Sequence, residues 1–474
     1  MTAHDLSFRD ISSSGLRAVI DRAYSLTREY NRPVQDAVQS EELRIILALE
    51  PVWTVSINGA AFVPTTAAEI EVEDSIIRFG RMRRKILGIE WLRPNIPRVR
   101  TQTRLRAQPD LLTFYPGNRL PSTVEIRRRR RSFQSQLARA LGIPSRGTSG
   151  TYSEFVLGNQ AVIAVDAEES SPVINGIMRA AILRSKSIRR RVSVVVPAHR
   201  SRTIVTRLHA LPALRADFDW LQWDGNTIQP LEMTLPVSET HVHEYHDLHV
   251  ETEVARICAL APDLLLAVPH IPGHAVSIRL RGLEIARVTE TGTAYPMGEP
   301  LQPLIETLAR DRRHGSRHLL ARAYEERWLE SNLIRQIQSV LPVRPEWIYP
   351  QVPSFVGEDR NIIDLLTITA DGRLVVIEVK ASSDPDLPFQ AFDYWLAVER
   401  HRMAGDFQAR GYFRGLEIRN EPALLVVVAP LLAFHRTFDR LLAALPRSLP
   451  LMQIGINQSW KREIKILRRK GGLG

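Results

Sequence analysis

The chain has 474 residues, 44% hydrophobic and 24% charged, a balance that excludes a disordered polymer and suits a folded protein of about two to four domains. Lys and Arg number 63 against 52 Asp and Glu, so the formal net charge is +11, which favours a polyanionic partner without choosing between DNA and RNA. A single cysteine, Cys258, excludes an intrachain disulfide and a thiolate metal cluster. The absence of a basic leader or of about eighteen consecutive apolar residues argues against a membrane span and makes the cytoplasm the expected compartment.

Residues 1–100 read as a small α+β module. Residues 16–26 and 41–49 have helical character, and short strand patterns follow Pro51 over 53–57, 69–73 and 76–79. Helices followed by strands fit a winged module that contacts nucleic acid, and they fit an ordinary α+β cap equally well. Residues 105–228 read as an α/β domain. It has a strand over 111–114 and a helix over 132–141, entered from the run Arg127-Arg128-Arg129-Arg130-Arg131. A hairpin then joins 154–157 to 161–165 across Gly158-Asn159-Gln160, followed by a helix over 174–183, an apolar strand over 191–197, a helix over 203–208 and a strand over 218–223. Residues 229–317 read as linker plus a small β-rich segment, with strands over 275–280 and 283–288. The histidines His241, His243, His246 and His249 do not share one helical face, so this stretch reads as linker rather than as a metal site. No Gly-rich loop ending in Lys and Ser/Thr occurs, which argues against a nucleotide kinase.

Residues 318–460 carry the clearest pattern, and a basic tail follows over 461–474. A helix is expected over 321–340, ending before Pro342, and a strand over 347–352. Strands over 362–369 and 374–380 are joined by Ala370-Asp371-Gly372, and a helix follows over 389–399. The run Leu424-Leu425-Val426-Val427-Val428 suits a central strand covered on both faces. A helix over 435–443 and a strand over 451–456 close the unit.

Asp followed by Gly is a strong turn signal. With a three-residue loop and Gly372 in the left-handed conformation, Thr369 faces Arg373, and counting back places Asp364 opposite Glu378. Lys380 shares the face of Glu378, because strands alternate. A two-residue turn would shift the parity and send Asp364 to the other side. A site here therefore demands the three-residue loop or a bulge. Charges inside apolar strands are costly unless paired or metal-bound, so an ion-pair network is the competing explanation. Glu330 lies beside the stripe formed by Leu329 and Leu333, within reach of the rim, whereas Glu325 and Glu326 read as surface glutamates. Gln390 and Tyr394 are four apart, on one helical face.

Hydrolysis of a phosphodiester needs a positioned water, neutralised phosphoryl oxygens and help for the leaving oxygen. Asp364 and Glu378 offer hard oxygen ligands suited to Mg²⁺ or Mn²⁺, and the Val379 carbonyl and Glu330 can complete the set. Lys380 can orient the water or hold phosphate. Gln390 can brace Lys380 or the water, and Tyr394 can contact the phosphate backbone.

Over roughly residues 320–430 these residues resemble the PD-(D/E)xK nuclease superfamily, the restriction-endonuclease-like fold. The match is Asp364, then Glu378-Val379-Lys380, with Glu330 in the place of the helical acid. Gln390-Ala391-Phe392-Asp393-Tyr394 resembles the Gln-x-x-x-Tyr motif of the RecB-like and Cas4-like branch. One departure is Ile363, where the family often has proline before the aspartate. The resemblance implies an α/β fold with a mixed sheet flanked by helices. It also implies metal-dependent cleavage of nucleic acid, DNA foremost, in repair, recombination or defence. An inactive nucleic-acid-binding protein that kept the fold, and an RNA-directed nuclease, are the alternatives. Ala161-Val162-Ile163-Ala164-Val165-Asp166 matches Val375-Val376-Ile377-Glu378-Val379-Lys380 in pattern, with Ala164 in the place of Glu378 and Asp166 in that of Lys380. Residues 105–228 then read either as a degenerate copy without an intact cutting site or as a common hairpin–helix unit. Expected phosphate contacts come from Arg127, Arg128, Arg129, Arg130 and Arg131, from Arg189, Arg190 and Arg191, and from Lys461, Arg462, Lys465, Arg468, Arg469 and Lys470 near the carboxyl end.

Overall fold

The computed structural model describes Leu43, Leu47 and most residues from Val52 to Gly471. Residues 1–42 and 472–474, the stretches 103–109, 117–122, 144–147, 186–190, 235–241 and 296–300, and some shorter ones lie outside the described residues. The helix expected over 16–26, Arg189, Arg190 and His241 fall there. Four sheets follow one another along the chain, giving a multidomain α/β architecture of mixed sheets flanked by helices.

The first sheet is antiparallel and has seven strands: β1 (Val52–Ile57), β2 (Ala61–Thr66), β3 (Ile70–Glu73), β4 (Ile76–Phe79), β5 (Met82–Arg93), β6 (Ile96–Gln102) and β7 (Asp110–Pro116). Trp53, Val55, Leu112 and Phe114 bury one face beside Leu43 and Leu47. β7 pairs with both β1 and β6, so the strand expected to open the second unit belongs to the first, and the boundary placed near residue 100 moves beyond Pro116.

The middle unit opens with helix α1 (Thr123–Ala140), which contains the whole arginine run rather than starting after it. Phe133 and Leu137, one turn apart, pack on Val162, Ala164 and Val195. Its sheet comprises β8 (Thr148–Ser149), β9 (Ser153–Leu157), β10 (Gln160–Ala164), β11 (Arg191–Pro197), β12 (Phe218–Trp223) and β13 (Ile228–Pro230). Leu157 faces Gln160, so the β9–β10 hairpin, expected to cross Gly158-Asn159-Gln160, has a two-residue loop. Helices α2 (Ser171–Asn175), α3 (Ile177–Ser185), α4 (Arg202–Ala210) and α5 (Pro212–Asp217) complete the unit, and the last three line its second core.

The small β-rich segment expected within residues 229–317 is present as a folded unit, including the strands expected over 275–280 and 283–288. Helix α6 (Glu251–Cys258), the antiparallel strands β14 (Leu265–His270), β15 (Ala275–Leu280), β16 (Leu283–Thr289) and β17 (Gly292–Ala294), and helix α7 (Leu301–Asp311) share one core. The β15–β16 turn, Arg281-Gly282, has positive φ at both residues, and a Cβ on Gly282 would press into the Arg327 backbone. This close approach seats the small sheet against the next helix.

The C-terminal unit contains α8 (Glu325–Arg335), α9 (Ile337–Val340), β18 (Tyr349–Val356), β19 (Asp359–Ile368), β20 (Leu374–Val379), α10 (Leu387–Ala404), α11 (Asp406–Ala409), β21 (Leu424–Pro430), α12 (Phe438–Leu442), β22 (Leu451–Ile456) and β23 (Ile466–Lys470). The helix expected to run unbroken to Val340 ends at Gln336, whose φ of −114° leaves the helical range. Leu329 and Leu333 of α8 cover Val375, Ile377 and Val379 on one face of the sheet. Ala391, Tyr394 and Val398 of α10 cover Leu374, Val376 and Leu366 on the other. Every residue of β21 is buried, as a central strand covered on both faces requires. Part of the expected basic tail is an edge strand, because β23 pairs with β22 at Ile454–Arg469 and Gly455–Arg468.

The middle and C-terminal sheets share one connectivity. In each, the first three strands form an antiparallel meander, the third, fourth and fifth are parallel, and the sixth is antiparallel. The two units meet through α10 and α12, since Phe389, Phe392 and Leu441 join the core formed by α3, α4 and α5. Across this contact Arg207 donates to Asp393 from Nε at 3.1 Å and from Nη2 at 2.8 Å, with both side chains buried.

Candidate active site

The hairpin that sets the site has the three-residue connection Ala370-Asp371-Gly372. Thr369 N–H donates to the Arg373 carbonyl at 2.9 Å, and Gly372 has φ +91°. A side chain at Gly372 would strain that backbone and press into the Glu417 carbonyl oxygen. Leu365 faces Ile377 and Leu366 faces Val376, and one further step of this register puts Asp364 opposite Glu378. Since Ile377 and Val379 face α8, Glu378 and Lys380 face the α10 side at the carboxyl end of the central strand.

There the charged groups converge. Lys380 Nζ lies 3.0 Å from Glu378 Oε1 and 3.9 Å from Glu326 Oε2. Asp364 Oδ2 accepts the Val379 N–H at 2.8 Å, so Val379 contributes its amide to hold Asp364. Glu378 is 1% exposed; its Oε1 meets the Lys380 ammonium, and its Oε2 has no hydrogen-bond partner among the described residues. Burial pushes the Glu378 carboxyl well above the usual carboxylate range, the charge of Asp364 pushes it further, and Lys380 pulls it back. Burial also raises Asp364, with Lys380 opposing and Glu330 adding to the rise. For Lys380, burial works against the ammonium, but Glu378, Glu326, Asp364 and Tyr394 outweigh it and hold the proton on nitrogen. Three carboxylates against one ammonium leave this cluster short of positive charge.

Three expected roles change. Glu330 is spent on structure: its Oε1 takes the Arg279 guanidinium at 2.9 Å, its Oε2 takes the Gln351 amide, and it is 1% exposed. The acid that reaches Lys380 is Glu326, one helical turn earlier and half exposed. Its place in the charged run Glu325-Glu326-Arg327 hides it in the sequence, although its i, i+4 spacing from Glu330 marks the same face. Gln390 Nε2 donates to Tyr394 Oη at 2.9 Å, so it braces the tyrosine rather than Lys380. Tyr394 is 3% exposed, and its hydroxyl lies within the cluster rather than on a surface that could follow a phosphate backbone. Burial raises the phenol, as does the charge of Glu378.

Gln351 is a residue that the sequence did not mark. It has φ +57°, a strained conformation for a side chain of its kind, and it stands between the pairs Pro350–Leu365 and Val352–Ile363, hence level with Asp364. Its bond to Glu330 ties the site strand to α8, and Arg279 continues the link to the small sheet, where Ser277 Oγ donates to Glu284 and Arg279 Nε donates to Ser277 Oγ.

No family model matches the chain, and no curated protein matches it. Among the described residues no group of three or more His, Cys, Asp or Glu side chains stands ready to hold a metal ion, His243, His246 and His249 included. The features that suit a divalent cation are the buried Glu378 Oε2, which has no hydrogen-bond partner among the described residues, and the excess of carboxyl groups over ammonium. The Glu330 oxygens do not share them, being occupied.

The basic groups divide. Arg127, Arg128 and Arg131 are exposed along α1. Arg129 and Arg130 instead hold Glu169, at 2.6 Å and 2.8 Å, and Arg191 pairs with Asp219. Near the carboxyl end, Lys461 pairs with Glu325 and lies over the Trp328 and Trp460 rings, Lys465 pairs with Glu463, Arg469 caps the Val340 carbonyl, and Lys470 pairs with Asp439. Arg462 and Arg468 are exposed. Arg462 lies in the loop leaving β22 and Arg468 faces Gly455 near that strand's end, at the same carboxyl end of the parallel strands as Glu378 and Lys380, which stand two strands away at the end of β20. No helix among the described residues is long and apolar enough to cross a membrane.

Proposed function

We propose that the C-terminal unit hydrolyses phosphodiester bonds of nucleic acid, DNA foremost, with Mg²⁺ or Mn²⁺, in repair, recombination or defence. The observation that carries this reading is Glu378: a carboxyl buried at the carboxyl end of parallel strands, opposite Asp364, with Oε1 against the Lys380 ammonium and Oε2 without a hydrogen-bond partner among the described residues. Burying such a charge costs several kcal/mol unless a cation compensates it. Asp364 and Glu378 would hold the metal, with Glu326 replacing Glu330 as the helical acid. When bound, the metal would supply a water of lowered pKa and neutralise charge on the phosphoryl oxygens. Lys380, kept protonated by its carboxylate neighbours, holds a phosphate oxygen or orients the attacking water. Gln390 fixes the Tyr394 hydroxyl beside that ammonium, and Arg462 and Arg468 offer backbone contacts at the same end of the sheet. The combination supports the PD-(D/E)xK resemblance.

Two observations favour the inactive binding protein instead: Lys380 already satisfies Glu378 Oε1, and no group of three or more His, Cys, Asp or Glu side chains placed to hold a metal occurs among the described residues. Labelled single-stranded, duplex and branched DNA, with RNA alongside, separates the two. Cleavage that requires Mg²⁺ or Mn²⁺, stops in EDTA and is lost in Lys380→Ala is the expected result. Binding without cleavage in any metal would refute the nuclease.

A further inference from the structure

The middle and C-terminal sheets agree beyond connectivity. Ala164 faces Val195 as Val379 faces Val428, and in each case the next N–H, from Val165 or Lys380, donates to that same carbonyl, at 3.2 Å and 3.0 Å. The following parallel pair keeps the same offset, with Val195 facing Leu221 and Pro197 facing Trp223 where Val428 faces Ile454 and Pro430 faces Ile456. Both fourth strands end in a proline that leads directly into a single 3₁₀ turn, Ala198–Arg200 and Leu431–Ala433. The preceding helices cover the same face, with Phe133 and Leu137 on Ala164 and Val195, and Leu329 and Leu333 on Val379 and Val428.

This register sets Ile163 level with Glu378, Val165 level with Lys380, and Glu154, which faces Ile163, level with Asp364. It corrects by one position the pattern match that put Ala164 and Asp166 in those places. Ile163 and Val165 are buried apolar residues. Glu154 is paired with Arg184 at 3.1 Å. Arg130 precedes Phe133 by the interval at which Glu326 precedes Leu329, so a guanidinium stands where the C-terminal unit has its helical acid. It holds Glu169 through two bonds, at 2.8 Å and 3.0 Å. The C-terminal cluster is short of positive charge, and its counterpart is balanced by arginines and filled with hydrocarbon.

We propose that residues 123–230 are a second copy of the C-terminal unit with the cutting site overwritten, so that one chain breaks one strand per encounter with a duplex. This rests on the nuclease reading above. The two copies turn the same helical face toward each other, α10 and α12 of one against α3 to α5 of the other, as in a symmetric dimer fused into one chain. A symmetric pair of live sites can cut both strands, whereas one live and one overwritten site cannot do so in a single event.

The test uses the full-length chain, limiting relative to a linear duplex that carries a different dye on each strand, read under native and denaturing conditions, with a single-stranded oligonucleotide as control. Wild type is expected to cut one strand per duplex at low conversion, Lys380→Ala to cut neither, and Glu154→Gln to match wild type. Both strands cut in the same duplex at low conversion, or cutting by Lys380→Ala that Glu154→Gln abolishes, would overturn the proposal while leaving the nuclease standing. A duplex left intact while the oligonucleotide is cut also overturns it. If neither substrate is cut, the nuclease reading fails and takes this inference with it.

Discussion

Replacing Lys380 by Met tests whether the cluster is one coupled electrostatic unit. The ammonium lies 3.0 Å from Glu378 and 3.9 Å from Glu326. At an effective dielectric constant of about 20, those contacts are worth about 5.5 and 4.3 kcal/mol of gross Coulomb energy, much of it offset by desolvation. Losing one partner of a buried pair typically leaves a net cost of about 3–5 kcal/mol, because the remaining charge stays buried. The sign with pH follows from Glu378, whose folded pKa is raised. Between its unfolded value and the raised value, the folded chain binds a proton that the unfolded chain does not, so stability falls as pH rises through that window. Without Lys380 the folded pKa rises further, so the window over which stability falls extends to higher pH. The variant should therefore lie close to wild type at acid pH, where Glu378 is protonated in both, and fall progressively below it at higher pH, by up to about 3–5 kcal/mol where the buried carboxylate is left bare. Hydrogen exchange of the β20 and β21 amides measures this locally, without requiring the whole multidomain chain to unfold in one step. Added Mn²⁺ should narrow the gap by neutralising the stranded carboxylates. A loss that is the same at acid and at higher pH, or below about 1 kcal/mol at higher pH, would refute the coupled cluster.

Glu326→Gln should weaken Mn²⁺ binding or cleavage by about 10–100-fold, whereas Glu325→Gln, whose carboxylate serves Lys461, should leave both near wild type; a Mn²⁺ titration of the two variants decides it. Arg207→Ala strands the buried Asp393 between the middle and C-terminal units and should cost about 3–5 kcal/mol in urea unfolding. Adding Asp393→Asn should recover part of that loss, and no recovery would mean that lost packing over Phe389, rather than the unpaired charge, is responsible.

The hairpin was legible because its turn carries its own geometry. Asp371-Gly372 specifies a left-handed glycine, the loop length then fixes the register, and the register alone places Asp364 across from Glu378. The supporting groups were harder to read. Glu326 lies in Glu325-Glu326-Arg327, a sequence that also describes a solvated helix face, and only Lys380 in three dimensions separates it from Glu325. Glu330 sits at the right spacing, but Arg279, a buried cation 51 residues earlier, claims it. The run Ile466–Lys470 looks like a solvated tail because an edge strand needs few apolar residues, and its backbone pairing leaves no trace in composition.

The repeated sheet shows a more general limit. An uninterrupted apolar strand carries no phase: Ala161 to Val165 are all apolar, so nothing within them fixes the offset at which they lie along Val375 to Val379. What fixes phase in β20 is the placement of Glu378 and Lys380, whose alternation declares which face is polar. The level positions in the middle unit are Ile163 and Val165, so nothing there declares which face is polar. Only the parallel partner supplies the phase, because the Val195 and Val428 carbonyls each take an N–H from one residue and so count the offset directly. Under the proposed duplication, the site's loss and its invisibility in sequence have one cause, so such a copy is best sought through strand register rather than through residue identity.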